Sequence, residues 1–200
     1  DRPLTLVVDA PVPDAVAPVP AAARLLDGDH LVASATASAP LAREAQTPVT
    51  VAAAHAAEER YEGLSDHPFP TCFSCGTARD PDDALCLRPG PLDDESGRYA
   101  TSWIPREASV PLVWAALDCP GGWSAGIAGR PMVLGTMTTE VIALPEPGVA
   151  HTVLAWHRGS QGRKHFSGSA LVAPDGRVLA RAEATWIAVD PTTIRPREIS

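Results

Sequence analysis

The chain of 200 residues is acidic, with 16 Lys and Arg against 24 Asp and Glu and a formal net charge of −8 at pH 7. This charge excludes a general nucleic-acid surface, because phosphate binding requires clustered basic residues and Lys164 is the only lysine. A hydrophobic content of 45% excludes disorder of the whole chain. No apolar run has bilayer-crossing length, and four cysteines without a regular framework fit a reducing compartment. The sequence therefore predicts a cytoplasmic protein with no membrane partner.

Residues 1–63 carry strand-like runs followed by a helical run. The β-type runs are residues 4–8, 21–26 and 31–38, and Asp27-Gly28-Asp29 between the last two indicates a hairpin. Residues 48–60 begin with proline and are rich in alanine, which predicts a helix. This part has strands and a helix but no complete core of its own.

Residues 64–96 form a connector rich in Pro, Gly and Cys, without regular periodicity. His67, Cys72, Cys75 and Cys86 include a Cys-x-x-Cys-Gly core, the spacing of a zinc knuckle. These four residues are candidate ligands of a structural zinc ion that would order the connector. Buried free thiols and redox chemistry are the open alternatives.

Residues 97–190 have the clearest pattern. A strand-like run at 98–104 precedes an apolar segment of helical length at 110–130, and four β-type runs follow at 132–144, 149–158, 163–173 and 177–189. The gaps between them are short, which predicts antiparallel neighbours. In the last run, the even positions from Val178 to Ala188 are apolar, and small alanines on one face would let a helix lie close. The predicted class is α+β, an antiparallel sheet wrapped around a central helix, with residues 191–200 as a tail.

Asp118 is an acid within the apolar segment, directly before Cys119-Pro120-Gly121-Gly122. One interpretation is a device at a helix end, because Asp, Pro and Gly gather where helices stop. The other is a carboxylate held beside free backbone N–H groups, as acyl transfer requires. Cys119 has no adjacent histidine to act as a paired base, so it is not predicted to be a nucleophile.

This strand, helix and strand pattern resembles the hotdog fold of acyl-CoA thioesterases and dehydratases. The resemblance is carried by 158–164 (Arg-Gly-Ser-Gln-Gly-Arg-Lys), by the Asp-Gly hairpin and alanine-rich strand that follow, and by 112–118 (Leu-Val-Trp-Ala-Ala-Leu-Asp). The last segment looks like the central helix of double-hotdog relatives of bacterial acyl-CoA thioesterase II. In that family an aspartate on this helix works with a Thr or Ser on the next strand and with a glutamine.

The resemblance implies a site made of Asp118 and a hydroxyl at Thr136 or Thr138, whereas the glutamine has only Gln161, in a predicted turn, as its candidate. It also implies that residues 1–63 are a partial first hotdog half. For thioester hydrolysis, backbone N–H groups of Gly121 and Gly122 would polarise the carbonyl and Asp118 would activate a water. The reaction requires no cofactor.

Arg158, Arg163 and Lys164 surround one predicted turn and are candidates for binding the phosphates of coenzyme A, although an ordinary solvated hairpin has the same pattern. His151, His157 and His165 lie in the same region without a carboxylate at ligand spacing, which is a weak metal signal.

The predicted function is a thioesterase-like hydrolase acting on acyl-CoA. A non-catalytic acyl-ligand or CoA-binding protein and a hotdog dehydratase are the alternatives. A homodimer is also predicted, because Ile187 and Val189 make the outer face of the last strand apolar.

Overall fold

The computed structural model describes residues 3–9, 11–12, 19–20, 22–44 and 46–193. The chain forms two compact units, Asp1–Pro40 and Leu41–Ser200. Residues 41–63, which the sequence analysis groups with the N-terminal strands, fall in the second of these units. The reason is that the helix predicted before residue 63 packs on the sheet of the second unit.

The first unit contains a three-stranded antiparallel sheet of order β1-β4-β5, formed by β1 (Thr5–Val8), β4 (Ala22–Asp27) and β5 (His30–Thr36). A separate pair joins β2 (Pro11–Val12) to β3 (Val19–Pro20). The Asp-Gly hairpin is confirmed: Asp27 pairs with His30, and Gly28 between them has φ +59°. This positive φ is the conformation that glycine adopts without steric cost.

The second unit is built on a six-stranded antiparallel sheet of order β6-β7-β9-β10-β11-β8. Its elements, in chain order, are α1 (Val51–Ala57), β6 (Gly90–Pro91), β7 (Tyr99–Trp103), α2 (Val110–Ser124), β8 (Met132–Val141), β9 (His151–Gln161), β10 (Lys164–Val172) and β11 (Val178–Ala188).

The strands after α2 are antiparallel as predicted, but β8 and β9 are not neighbours. β8 pairs with β11, and β9 lies between β7 and β10. The connection from β8 to β9 starts beside β11, where Ile142 N–H donates to Leu179 O at 2.8 Å. It ends near β7, where Gly148 N–H donates to Pro105 O at 2.8 Å. The connection therefore crosses the molecule instead of forming a hairpin.

The face of the sheet that packs on α2 is called the helix face. α2 contacts β7, β8, β9, β10 and β11, so the sheet wraps around it as predicted. Ala180, Ala182 and Trp186 lie on this face and are at most 4% exposed, which confirms the alternation predicted for the last strand. Val178 departs from it and is 39% exposed.

The opposite face, called the back face, is covered in part by α1. Thr50 caps α1 by accepting a hydrogen bond from Ala53 N–H. Ala54 and Ala57 of α1 pack against Ala100 and Leu154 of the sheet, and all four are nearly inaccessible to solvent. The helix predicted over 48–60 is thus shorter, because Pro48 precedes the cap and residues 58–60 form a 3-10 turn.

Over the described residues, the structure contains no helix of sufficient length and hydrophobicity to span a membrane.

Candidate functional site

Asp118 lies near the middle of α2, between Leu117 and Cys119, which are buried. Its side chain as a whole is half-buried, whereas Oδ1 is fully buried and has no hydrogen-bond partner among the described residues. Burial raises the pKa of the Asp118 carboxyl to about 7, and negative charge on nearby Cys72 contributes to the same shift. A helix-end device does not explain this aspartate, since α2 continues to Ser124.

Gly121 and Gly122 lie inside α2, which continues past them to Ser124. A Cβ on Gly121 would come within 2.6 Å of Ser167 Oγ, and one on Gly122 would come within 3.1 Å of the Trp186 ring. The two glycines therefore let α2 approach the sheet closely. Their backbone N–H groups are not at a free helix start, and we do not assign them the oxyanion role.

Thr136 and Thr138 lie in β8 but belong to the back face. They are paired with Thr185 and Glu183, which alternate with the helix-face residues Ala184 and Trp186. A β-bulge at Gly135 places these two threonines on the back face. Leu134 pairs with Trp186 and Thr136 pairs with the adjacent Thr185, so Gly135 is an extra residue in β8 without a partner in β11. One extra residue reverses the side-chain parity, so Thr139 takes the helix face, and its buried Oγ1 has no partner among the described residues.

The three basic residues predicted to bind phosphate lie in different environments. Arg158 lies within β9, because this strand extends to Gln161, and it forms ion pairs with Glu183 (2.8 Å) and Glu44 (3.4 Å). Arg163 and Lys164 are exposed at the β9–β10 hairpin. Gln161 is exposed at the same hairpin and is paired with Lys164. Arg158 is thus neutralised by acids, whereas Arg163 and Lys164 remain exposed at the hairpin.

Three cysteines meet between the connector and α2. The sulfur atoms of Cys72, Cys75 and Cys119 all lie within 4.8 Å of one another, and the Sγ atoms of Cys72 and Cys119 are 3.4 Å apart. Cys86, which the sequence places in the predicted zinc set, is not a member of this group, whereas Cys119 is. Spacing along the connector identified two of the three, but only the fold brings Cys119 to them.

The three thiols share hydrogen bonds. Those from Cys119 and Cys75, together with backbone N–H groups of Cys75 and Ser74, hold the pKa of Cys72 well below its usual range. The pKa of Cys119 is raised by the same interactions and by burial. Cys72 is also the cysteine whose charge contributes to the raised pKa of Asp118.

The histidines do not form a second cluster of metal ligands. His151 is buried, with Nδ1 2.7 Å from Val149 O. The rings of His157 and His165 lie 6.1 Å apart, and Arg130 approaches His165 Nδ1 at 3.4 Å. Burial lowers the pKa of His165, and the charge of Arg130 adds to this shift. Among the described residues, the cysteine group alone has metal-ligand geometry.

A cavity of about 610 Å³ lies on the back face, between the sheet and residues 41–44 and 46–52. Leu154, Trp156 and Ala170 form its floor, and Ala52 of α1 lies on its wall. The cavity is thus on the side of the sheet opposite to Asp118. Sequence reasoning missed it, because no local pattern shows that the segment before α1 folds over the strands.

Comparison with solved structures gives thioesterase superfamily proteins. One of them has 16% identity and a TM-score of 0.47, over 54% of this chain and 60% of that chain, which is less than two thirds of its length. A hypothetical thioesterase from Streptococcus pneumoniae, solved with coenzyme A, has 11% identity and a TM-score of 0.44, over 47% of this chain and 82% of that chain. The PaaI protein of E. coli has 12% identity and a TM-score of 0.45, over 52% of this chain and 83% of that chain.

The strand order and the helix at the centre of the sheet decide the fold. The chain has a hotdog fold. The predicted fold class is therefore confirmed. No protein-family model matches the chain, and no curated protein matches it significantly.

Proposed function

We propose that this hotdog protein is a thioesterase-like hydrolase acting on acyl-CoA or a related acyl thioester, with Asp118 as the general base. The observation that carries the proposal is the buried Oδ1 of Asp118 on the central helix, which has no hydrogen-bond partner within the described ranges. A buried carboxylate oxygen without a hydrogen bond costs several kcal/mol in principle, so such an atom points to a partner from outside the chain. A water molecule poised for attack is the partner that hydrolysis requires.

In the proposed reaction, Asp118 takes a proton from water as the water oxygen bonds to the thioester carbonyl carbon. The carbon–sulfur bond then breaks, the thiolate leaves with the coenzyme A portion, and the proton returns from Asp118 to that sulfur. The products are a carboxylic acid and a thiol. Thr139 lies on the helix face, and its hydroxyl has no partner in the part of the chain that the structure describes. It replaces Thr136 as the proposed hydroxyl of the site.

The proposed contact for the coenzyme A phosphates is the exposed β9–β10 hairpin, where Arg163 and Lys164 are adjacent. Arg offers two parallel N–H donors to a phosphate and Lys offers a point charge. Arg158 is left out of this contact, because Glu44 and Glu183 already pair with it.

The test is hydrolysis of a panel of acyl-CoAs of different chain length, including β-hydroxyacyl-CoA for the dehydratase alternative. We expect thiol release by the wild type and a fall in kcat of about 100-fold or more for Asp118→Asn, since general-base catalysis contributes at least this much. Asp93→Asn is the matched control, because Asp93 is exposed. Unchanged turnover in Asp118→Asn would remove the aspartate from the mechanism.

A non-catalytic acyl-ligand-binding protein is the second candidate, and the back-face cavity favours it. Its volume of about 610 Å³ and its apolar floor suit an acyl chain. Calorimetric titration with a non-hydrolysable acyl-CoA thioether separates the two candidates. Binding that is abolished by Ala52→Trp, together with no turnover of any acyl-CoA, would establish the binding protein and overturn the hydrolase.

A further inference from the structure

We infer that Cys72, Cys75 and Cys119 form a zinc site that fastens the connector to the central helix. Three sulfur atoms within 4.8 Å of one another converge from two separate parts of the chain. Zinc–sulfur bonds of roughly 2.3 Å in a tetrahedron place sulfur atoms about 3.8 Å apart. The Cys72–Cys119 separation of 3.4 Å is close to that value, so the cluster can receive zinc with small side-chain adjustments.

The backbone around Cys72 has the form of a metal-binding knuckle. Gly76 N–H donates to Cys72 O at 2.9 Å, which closes a tight turn over the two cysteines. A Cβ on Gly76 would lie 2.5 Å from the backbone oxygens of Cys72 and Pro70, so only glycine fits this turn. The glycine of the Cys-x-x-Cys-Gly sequence is thus explained by the geometry that brings the two sulfurs together.

A hydrogen-bond donor of the helix lies beside one of these sulfurs. Trp123 Nε1–H donates to Cys75 Sγ at 3.4 Å. Donors of this kind orient thiolate ligands and partly balance their charge, as the outer shell of a metal site does.

His67 lies beside the cluster, but its hydrogen bonds exclude it as the fourth ligand in this arrangement. Its Nδ1 accepts a hydrogen bond from Phe69 N–H at 2.9 Å, so the ring proton is on Nε2. That nitrogen is 3.1 Å from Cys75 O, to which it donates, and 3.5 Å from Cys75 Sγ. A protonated nitrogen cannot bind zinc. Three thiolates therefore hold the ion, and water completes the tetrahedron.

The proposed role of the metal is to stabilise the connector against α2. Between residues 65 and 89 it contains no helix or strand, although it is fully described. Ser74 Oγ donates to Ala115 O of α2 at 2.7 Å, and Leu87 N–H donates to Ser74 O at 2.9 Å. Zinc bound by two connector cysteines and one helix cysteine would lock this contact, and its binding free energy would add to folding stability.

The experiment is elemental analysis of the full chain purified under reducing conditions without added metal. We expect about one zinc ion per chain, and cobalt substitution should give the thiolate-to-cobalt charge-transfer band and strong visible bands of a tetrahedral site. Cys119→Ser should lose the metal and Cys86→Ser should keep it. This pair separates the cluster seen in the structure from the ligand set that spacing alone predicts.

Three results would overturn the inference: a metal-free wild type with four titratable thiols, a Cys72–Cys119 disulfide in place of metal, or metal lost by Cys86→Ser and kept by Cys119→Ser. If Cys119→Ser fails to fold, the cobalt spectrum of the wild type decides. The inference does not rest on the proposed hydrolase activity. Turnover of acyl-CoA by a metal-free wild type would overturn the zinc site alone.

Discussion

At the scale of single residues, Thr139 has a hydroxyl that the fold leaves unpaired. Its Oγ1 is buried on the helix face of β8 without a hydrogen-bond partner among the described residues. An unsatisfied buried hydroxyl costs about 1–3 kcal/mol. Natural proteins retain such a cost mainly at functional sites, which is why Thr139 is placed in the proposed site.

Thr139→Val removes the hydroxyl and keeps the shape of the side chain. We expect the free energy of unfolding to rise by about 1 kcal/mol, because the unpaired polar group is gone, while acyl-CoA hydrolysis falls. Urea denaturation and initial rates measure the two effects. Thr138→Val on the back face is the control and should leave hydrolysis unchanged. Lower stability of Thr139→Val would show that its hydroxyl has a partner in the folded protein.

The candidate residues show which parts of a site a sequence can reveal. Asp118 is recognisable as an acid in an apolar helix, and Cys72 and Cys75 are recognisable by spacing. Cys119 is recognisable only in space, since 43 positions separate it from Cys75 while their sulfur atoms lie within 4.8 Å. The unpaired state of Asp118 Oδ1 likewise depends on residues that pack around it from other elements.

At the scale of elements, Glu58 fastens the end of α1 to β7. Its Oε1 accepts hydrogen bonds from Ser102 N–H (2.7 Å), Ser102 Oγ (2.6 Å) and Thr101 Oγ1 (3.1 Å). An acid near a helix C-terminus is unfavourable for the helix dipole. The bonds to β7 offset this and explain why Glu58 occupies that position.

Glu58→Ala should destabilise the protein by about 2–3 kcal/mol, because hydrogen bonds to a charged acceptor are lost and a strand N–H is left without its partner. Chemical denaturation measures the change. Glu59→Ala is the control, since Glu59 is exposed, and it should stay within about 0.5 kcal/mol of the wild type. Equal stability of the two variants would mean that Glu58 does not hold α1 to the sheet.

The sequence predicts most element boundaries through hydrophobic alternation. It does not predict the order of the strands in the sheet, nor which face of the sheet each side chain of β8 occupies. The runs after α2 predict four strands, and all four are present. Their order depends on the crossing connection after β8, which has no local signal. The bulge at Gly135 is likewise not indicated by the sequence, apart from the glycine itself. Because of this bulge, the helix face of β8 carries Thr139 and not Thr136.

At the scale of the whole molecule, β8 is an edge strand of the six-stranded sheet, and Val133 and Leu134 on it are 41% and 40% exposed. An exposed apolar edge favours pairing with another chain. Ile187, which the sequence places on the outer face of the last strand, is half-buried, and its side chain lies near Gly135. The predicted homodimer is therefore proposed to form through β8.

Sedimentation velocity tests this association. We expect a dimer for the wild type and a monomer for Val133→Lys, because a charge on the edge opposes strand pairing. Val178→Lys is the control, since Val178 is 39% exposed but lies on β11, and this variant should remain a dimer. A monomeric wild type at micromolar concentration would contradict the proposal.

We propose that hydrolysis takes place on the helix face, at Asp118, and not in the back-face cavity. The most direct measurement is kcat for the best acyl-CoA substrate in the wild type, Asp118→Asn and Ala52→Trp, with zinc content measured in each. We expect a loss of about 100-fold or more in kcat for Asp118→Asn at unchanged zinc content, and wild-type kcat for Ala52→Trp, which only fills the cavity. Wild-type kcat in Asp118→Asn, with activity lost in Ala52→Trp, would contradict it.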